Sequence, residues 1–126
     1  MRIILCGFGV VAQSLTKLLE SRTNELYSKY GLKPRIVGVF DSNGSAHNSA
    51  GLNLKKLIDV KEKSGSVAAY DKSIPQIDGI EMIKTFDADV MIETTASNYK
   101  DAEPGMTHII TAVSYTHLTL PTIYSV

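Results

Sequence analysis

Apolar and polar positions change period several times along the chain. From Arg2 to Cys6 the residues after the first are all apolar, the pattern of a strand buried on both faces. After Gly7-Phe8-Gly9 the period lengthens, placing Val11, Leu15, Leu18, Leu19 and Leu26 on one face and predicting a single long amphipathic helix. That helix should fade around Lys29 to Leu32, where Gly31 supplies a left-handed cap and Pro34 prevents continuation. A second strand is expected from Arg35 to Phe40, ending at Asp41. The small, polar stretch from Ser42 to Gly51 reads as a surface loop, with His47 solvated. Asn53 is placed to cap a helix through about Lys63, with Leu54, Leu57 and Ile58 buried and its lysines forming the wet face. Gly65 to Tyr70 reads as a short strand and Asp71 to Asp78 as a loop. A helix from Gly79 to Thr85 then leads to the apolar strand Val90-Met91-Ile92, closed by Glu93. Strands alternating with helices at this spacing predict βαβ units on a parallel sheet covered on both faces.

The 126 residues suit one domain, which is small for the paired cofactor and substrate domains of a nucleotide-dependent enzyme. Hydrophobic residues make up 44% and charged residues 21%, an ordinary globular balance, and no apolar run approaches a membrane span. The amino terminus is too short in apolar residues for a signal peptide, so a cytoplasmic location is expected. Thirteen basic residues balance thirteen acidic ones without a basic block, which argues against a nucleic-acid partner. Cys6 is the only cysteine and has no Cys or His neighbours in sequence; it is expected to be a small buried hydrophobe, and no metal site is predicted.

Chemistry concentrates where strands end. Gly7-Phe8-Gly9-Val10-Val11-Ala12 fits Gly-x-Gly-x-x-Gly/Ala between a predicted strand and a predicted helix. In that setting Gly7 permits the turn, Gly9 lets backbone approach a diphosphate, and Ala12 allows close helix packing; free amides at the helix start face the anion. The alternative is a tight turn and nothing more. Asp41, at the end of the second strand, stands where a carboxylate takes adenosine ribose hydroxyls and repels a 2′-phosphate, favouring NAD over NADP; as a plain turn-former it would do neither. Thr94, Thr95, Ala96, Ser97 and Asn98 follow the Val90 strand, where the switch-point rule places the nicotinamide side of a cleft; the alternative is a polar loop capping the next helix.

"GFGVVAQSLTKLLESR", "YGLKPRIVGVFDSNG" and "ADVMIETTASNYKDAEPGMTHIITA" together resemble the amino-terminal cofactor domain of homoserine dehydrogenase, in its short form without a fused kinase. The Thr94 to Pro104 segment separates this resemblance from other glycine-turn proteins, including reductases acting on dihydrodipicolinate. The resemblance implies a Rossmann-type doubly wound α/β sheet, incomplete because later strands are missing. It also implies reversible hydride transfer between NAD(P) and the aspartate semialdehyde/homoserine pair, in threonine and methionine biosynthesis. By the same likeness the diphosphate meets the amides of Phe8, Gly9, Val10 and Val11 beside Gly7. The adenosine ribose meets Asp41 and Ser42, and the nicotinamide lies near Thr94, Thr95 and Ala96. Some members carry an arginine after the second strand where this chain has Ser42 and Asn43, which leaves NAD or NADP open. The family's catalytic lysines, substrate region and homodimer interface lie beyond the matched segment, so no residue here is assigned a catalytic role. A non-catalytic dinucleotide-binding or sensing module is the alternative.

The likeness spans residues 1–112, read as a partial NAD(P)-binding domain. Residues 113–126 are expected to be a non-native tail, because "VSYTHLTLPT" matches one reading frame of a common transposon-based sequencing adapter; the alternative is a native terminal hairpin with turn residues Pro121 and Thr122. Without a later strand, the outer edge of the Val90 strand is expected to stand exposed.

Overall fold

The computed structural model describes residues 1–115 and 122–125; His117 and the predicted Pro121-Thr122 turn lie outside or at the edge of the described residues. A five-stranded sheet runs in the order β3-β2-β1-β4-β5. Its strands are β1 (Arg2–Cys6), β2 (Arg35–Asp41), β3 (Gly44–His47), β4 (Val90–Glu93) and β5 (Thr122–Ser125). All neighbours pair in parallel except β3, which runs antiparallel to β2. Helices α1 (Val10–Ser21), α2 (Thr23–Tyr30), α3 (Leu54–Ser64), α4 (Gly79–Thr85) and α5 (Gly105–Ser114) complete the α/β fold.

Central β1 is apolar at successive positions because both its faces are covered. Ile3 and Leu5 join a cluster with Ala12 of α1 and Leu57 of α3, while Ile4 and Cys6 join another with Met82 and Ile83 of α4 and Ala112 of α5. Along β2 the alternation slips. Ile3 pairs with Ile36 but Ile4 pairs with Gly38, so Val37 is the extra residue of a bulge. A one-residue slip exchanges faces downstream of it, placing Val39 with the α1/α3 cluster and Phe40 with the α4/α5 cluster.

Several expected elements differ. The long first helix breaks at Arg22, whose φ is −108° and ψ 12°. Around it, hydroxyls take helix carbonyls: Ser21 donates to Leu18 O at 3.1 Å and Thr23 to Leu19 O at 2.8 Å, a local competition that bends or ends helices. Val11 and Leu18 are each 53% exposed, and the buried stripe runs instead through Ala12, Leu15, Thr16 and Leu19. The expected loop from Ser42 contains β3. Its backbone finds partners on both sides, pairing with β2 and donating from Ser45 N to Gln76 Oε1 at 2.6 Å. His47 is not simply solvated, since its ring meets Phe86 edge-on at 5.3 Å. The expected strand at 65–70 is a 3-10 turn at Val67–Ala69, capped by Ser66. The Gly31 and Asn53 caps stand as read.

The β4 edge is not open, because β5 pairs along it from Val90 to Glu93. α5 likewise runs past Ala112 to Ser114. Among the described residues no helix is long and apolar enough to cross a membrane.

Candidate dinucleotide site

β1 and β4 lie side by side at the centre of the sheet, and their following segments part to opposite faces: α1 packs against α3, and α5 against α4. This is the switch point, where the carboxyl ends of the strands leave a crevice. A cavity of about 940 Å³ opens there, within the size range of small-molecule sites. Gly7, Phe8, Gly9, Val10, Val11, Asp41, Ser42, Thr94, Thr95 and Ala96 all line it, whereas Ser97, expected on the nicotinamide side with Asn98, accepts instead from Gly105 N at 3.1 Å.

The two glycines differ. Gly7 has φ +91°, and a Cβ on it would lie 2.9 Å from Thr95 N; it is fixed by the chain's own backbone, and its amide bonds Phe40 O at 2.8 Å. Gly9 has no atom within 4 Å of the place a Cβ would take, so its bareness answers no internal need and leaves the helix start open. As the N-cap of α1, Gly9 provides no side-chain cap, and the first turn holds no acidic residue. Among the described residues, then, no side chain caps the opening amides and no acidic residue of the helix's first turn competes for them, the arrangement that accepts an anion. Phe8 contributes backbone alone, since its ring is buried in the core.

The threonines are less free than expected. Thr94 Oγ1 donates to Cys6 O at 2.9 Å and Thr94 N to the same carbonyl at 2.8 Å, clasping the ends of β1 and β4. Thr95 gives both its amide, at 2.9 Å, and its hydroxyl to Glu93 Oε1. Asn98 faces solvent, and its side chain accepts from Lys100 N at 2.9 Å.

Asp41 lines the cavity, yet its carboxylate is engaged on the α3 side. Oδ1 accepts from Asn43 N, Gly44 N and Ser66 Oγ, at 2.9, 3.1 and 3.0 Å. Oδ2 accepts from Val67 N at 2.8 Å and Lys61 Nζ at 3.1 Å. Burial opposes its charge, but the amides of Val67 and Asn43 and the Lys61 ammonium outweigh that and hold its pKa below the usual carboxylate value. Lys61, expected on the wet face of α3, is a cavity residue with a side chain only 19% exposed. The signal was legible: Lys61 follows Leu57 by one helical turn, on the buried stripe of α3.

Sequence reasoning also missed Glu93 and His108. Glu93 is 3% exposed, and its Oε2 lies 2.6 Å from His108 Nδ1. Burial raises the Glu93 pKa, but bonds from His108 and Thr95 outweigh it and lower it overall. Cys6, Glu93 and His108 bring three ligand-type atoms within 4.8 Å of one another. Burial, with the Glu93 charge beside it, pushes the Cys6 thiol strongly up, so it stays protonated as the small buried residue expected.

The model of the family described as Glutamate/Leucine/Phenylalanine/Valine dehydrogenase matches residues 1–103. The chain belongs to that family. Within the wider similarity, a homoserine dehydrogenase of Methanocaldococcus jannaschii is 37% identical over 110 residues, covering 87% of this chain and 32% of the relative. An NAD(+)-dependent homoserine dehydrogenase of Pseudomonas canavaninivorans is 31% identical over 104 residues, covering 82% of this chain and 30% of the relative. Among solved structures, the homoserine dehydrogenase of Thermoplasma acidophilum superposes with a TM-score of 0.62 at 25% identity, over 79% of this chain and 28% of that one. The resemblance to homoserine dehydrogenase read from the sequence thus extends over most of this chain. It spans about a third of the length of the curated relatives it matches.

Proposed function

We propose that the chain is the dinucleotide-binding portion of an NAD(P)-dependent oxidoreductase of the homoserine dehydrogenase type. The observation carrying this reading is the uncapped, acid-free start of α1, open above Gly9, at the mouth of a switch-point cavity. The diphosphate sits on the amides of Phe8, Gly9, Val10 and Val11. The adenosine ribose lies toward Asp41 and Ser42, and the nicotinamide toward Thr94, Thr95 and Ala96, whose backbone supplies contacts because the threonine hydroxyls are engaged. Bound there, the cofactor supplies the hydride of a reversible exchange between aspartate semialdehyde and homoserine, a step of threonine and methionine synthesis in the cytoplasm. Substrate binding, proton exchange and dimer formation belong to segments found in the longer relatives. Residues 1–112 form the binding domain and residues 113–126 are a non-native appendage.

The buried Asp41 carboxylate beside the ribose position favours NAD, although Lys61 partly neutralises it. Titration of the purified chain with NADH and with NADPH, followed by nicotinamide fluorescence, tests both points. Weak, saturable binding with NADH preferred is expected. No binding of either overturns the assignment, and tighter binding of NADPH overturns the preference.

A further inference from the structure

His108 stands near the start of α5, its side chain 8% exposed. Its Nδ1 lies 2.6 Å from Glu93 Oε2, and the other oxygen of Glu93 is held by the Thr95 amide and hydroxyl. A carboxylate offers only lone pairs, so Nδ1 carries the hydrogen, and the tautomer protonated there alone leaves an acceptor lone pair on Nε2. Phe40 packs edge-on against the imidazole at 5.1 Å, which fixes the plane of the ring. Among the described residues Nε2 has no partner, while no sealed side-chain nitrogen or oxygen is left unpaired. Nε2 is therefore not sealed, and His108 is part of the cavity wall. Packing alone does not ask for this arrangement, since burying a carboxylate and an imidazole carries a desolvation cost that apolar residues of similar volume do not.

We propose that His108 is a cofactor-binding residue: Nε2 accepts a hydrogen bond from a hydroxyl or amino group of the bound dinucleotide, and Glu93 is the positioning residue that sets the ring. This rests on the dinucleotide reading above. It also ties cofactor contact to the Thr94-Thr95 segment, because the same Glu93 carboxylate holds Thr95 and His108.

Two substitutions separate the ring nitrogens. His108→Asn keeps a donor near the Nδ1 position and loses the distal acceptor; His108→Gln keeps an acceptor near Nε2 and loses the bond to Glu93. His108→Asn is expected to melt close to wild type and bind NADH roughly 3- to 10-fold more weakly, the loss of one neutral hydrogen bond. His108→Gln is expected to melt lower yet bind within about twofold of wild type. Wild-type affinity in His108→Asn, or equal weakening in both variants, overturns the proposal. Nitrogen-15 NMR of the wild-type imidazole needs no variant: the Nε2 resonance should shift on adding NADH, and an unmoved resonance under saturation also overturns it. A wild-type chain that binds no dinucleotide overturns the parent reading, whereas normal NADH binding with an unmoved Nε2 overturns this inference alone.

Discussion

Gly7 and Gly9 stand two residues apart in one motif and serve different masters. At Gly7 the positive φ and the approach of Thr95 N exclude any side chain; Gly7→Ala should destabilise the fold by about 2–4 kcal/mol, through backbone strain and a clash that cannot relax. At Gly9 the φ of −85° suits any residue, and the space beyond is empty. Gly9→Val should therefore leave the urea midpoint near that of the wild type while abolishing NADH binding, because the new side chain stands where the diphosphate approaches. Reversed outcomes, with Gly9→Val unfolded or still binding, would remove the anion seat from the account. The motif itself was legible in the sequence, but the division of labour between its glycines was not, since it depends on what lies across from each.

Between elements, Asp41 acts as a clamp. One carboxylate joins the end of β2, the turn into β3, α3 through Lys61, and the 3-10 turn through Ser66 and Val67. Its side chain is 5% exposed, so replacement by Asn, which removes the charge and mismatches at least one donor, should cost on the order of 2 kcal/mol. Because the folded-state pKa of Asp41 is lowered, the unfolded chain binds the proton more readily. The clamp's contribution is complete above the unfolded carboxylate value, about 3.9, and fades as pH falls through the folded value. Urea unfolding measured across the acid range should show wild-type stability falling toward low pH with a steeper slope than Asp41→Asn. Identical slopes would mean that the clamp carries no linkage. The sequence placed Asp41 at the strand end correctly, but which side of the sheet it serves follows from the bulge at Val37, and bulges leave no periodic trace that could be read in advance.

Across the whole molecule, the β4 edge is paired by residues 122–125, while among the described residues the cavity wall draws on none later than His108. Stability and binding should therefore part company when residues 113–126 are removed. The truncated chain is expected to lose the β5 ladder and melt lower, with a greater tendency to associate through the bared edge, yet bind NADH with unchanged affinity per folded molecule. Sedimentation and fluorescence titration of the two chains side by side check this; a loss of affinity without unfolding would bring the tail into the site.

The sequence by itself determined the βαβ order, the glycine turn, the caps at Gly31 and Asn53, and the residues that gather at the switch point, because each follows from local geometry or from the period of burial. It also carried the likeness to homoserine dehydrogenase. Only the tertiary structure decided that the Ser42 stretch becomes a strand and that His108 lines the cavity. It likewise decided that the threonine hydroxyls and the Asp41 carboxylate bind the protein itself. Asp41 with Lys61, Glu93 with His108, and Thr94 with Cys6 are partners 20, 15 and 88 residues apart in the chain, where a polar group's destination is set by which donors and acceptors the packed elements bring within reach, and no spacing along the sequence records that.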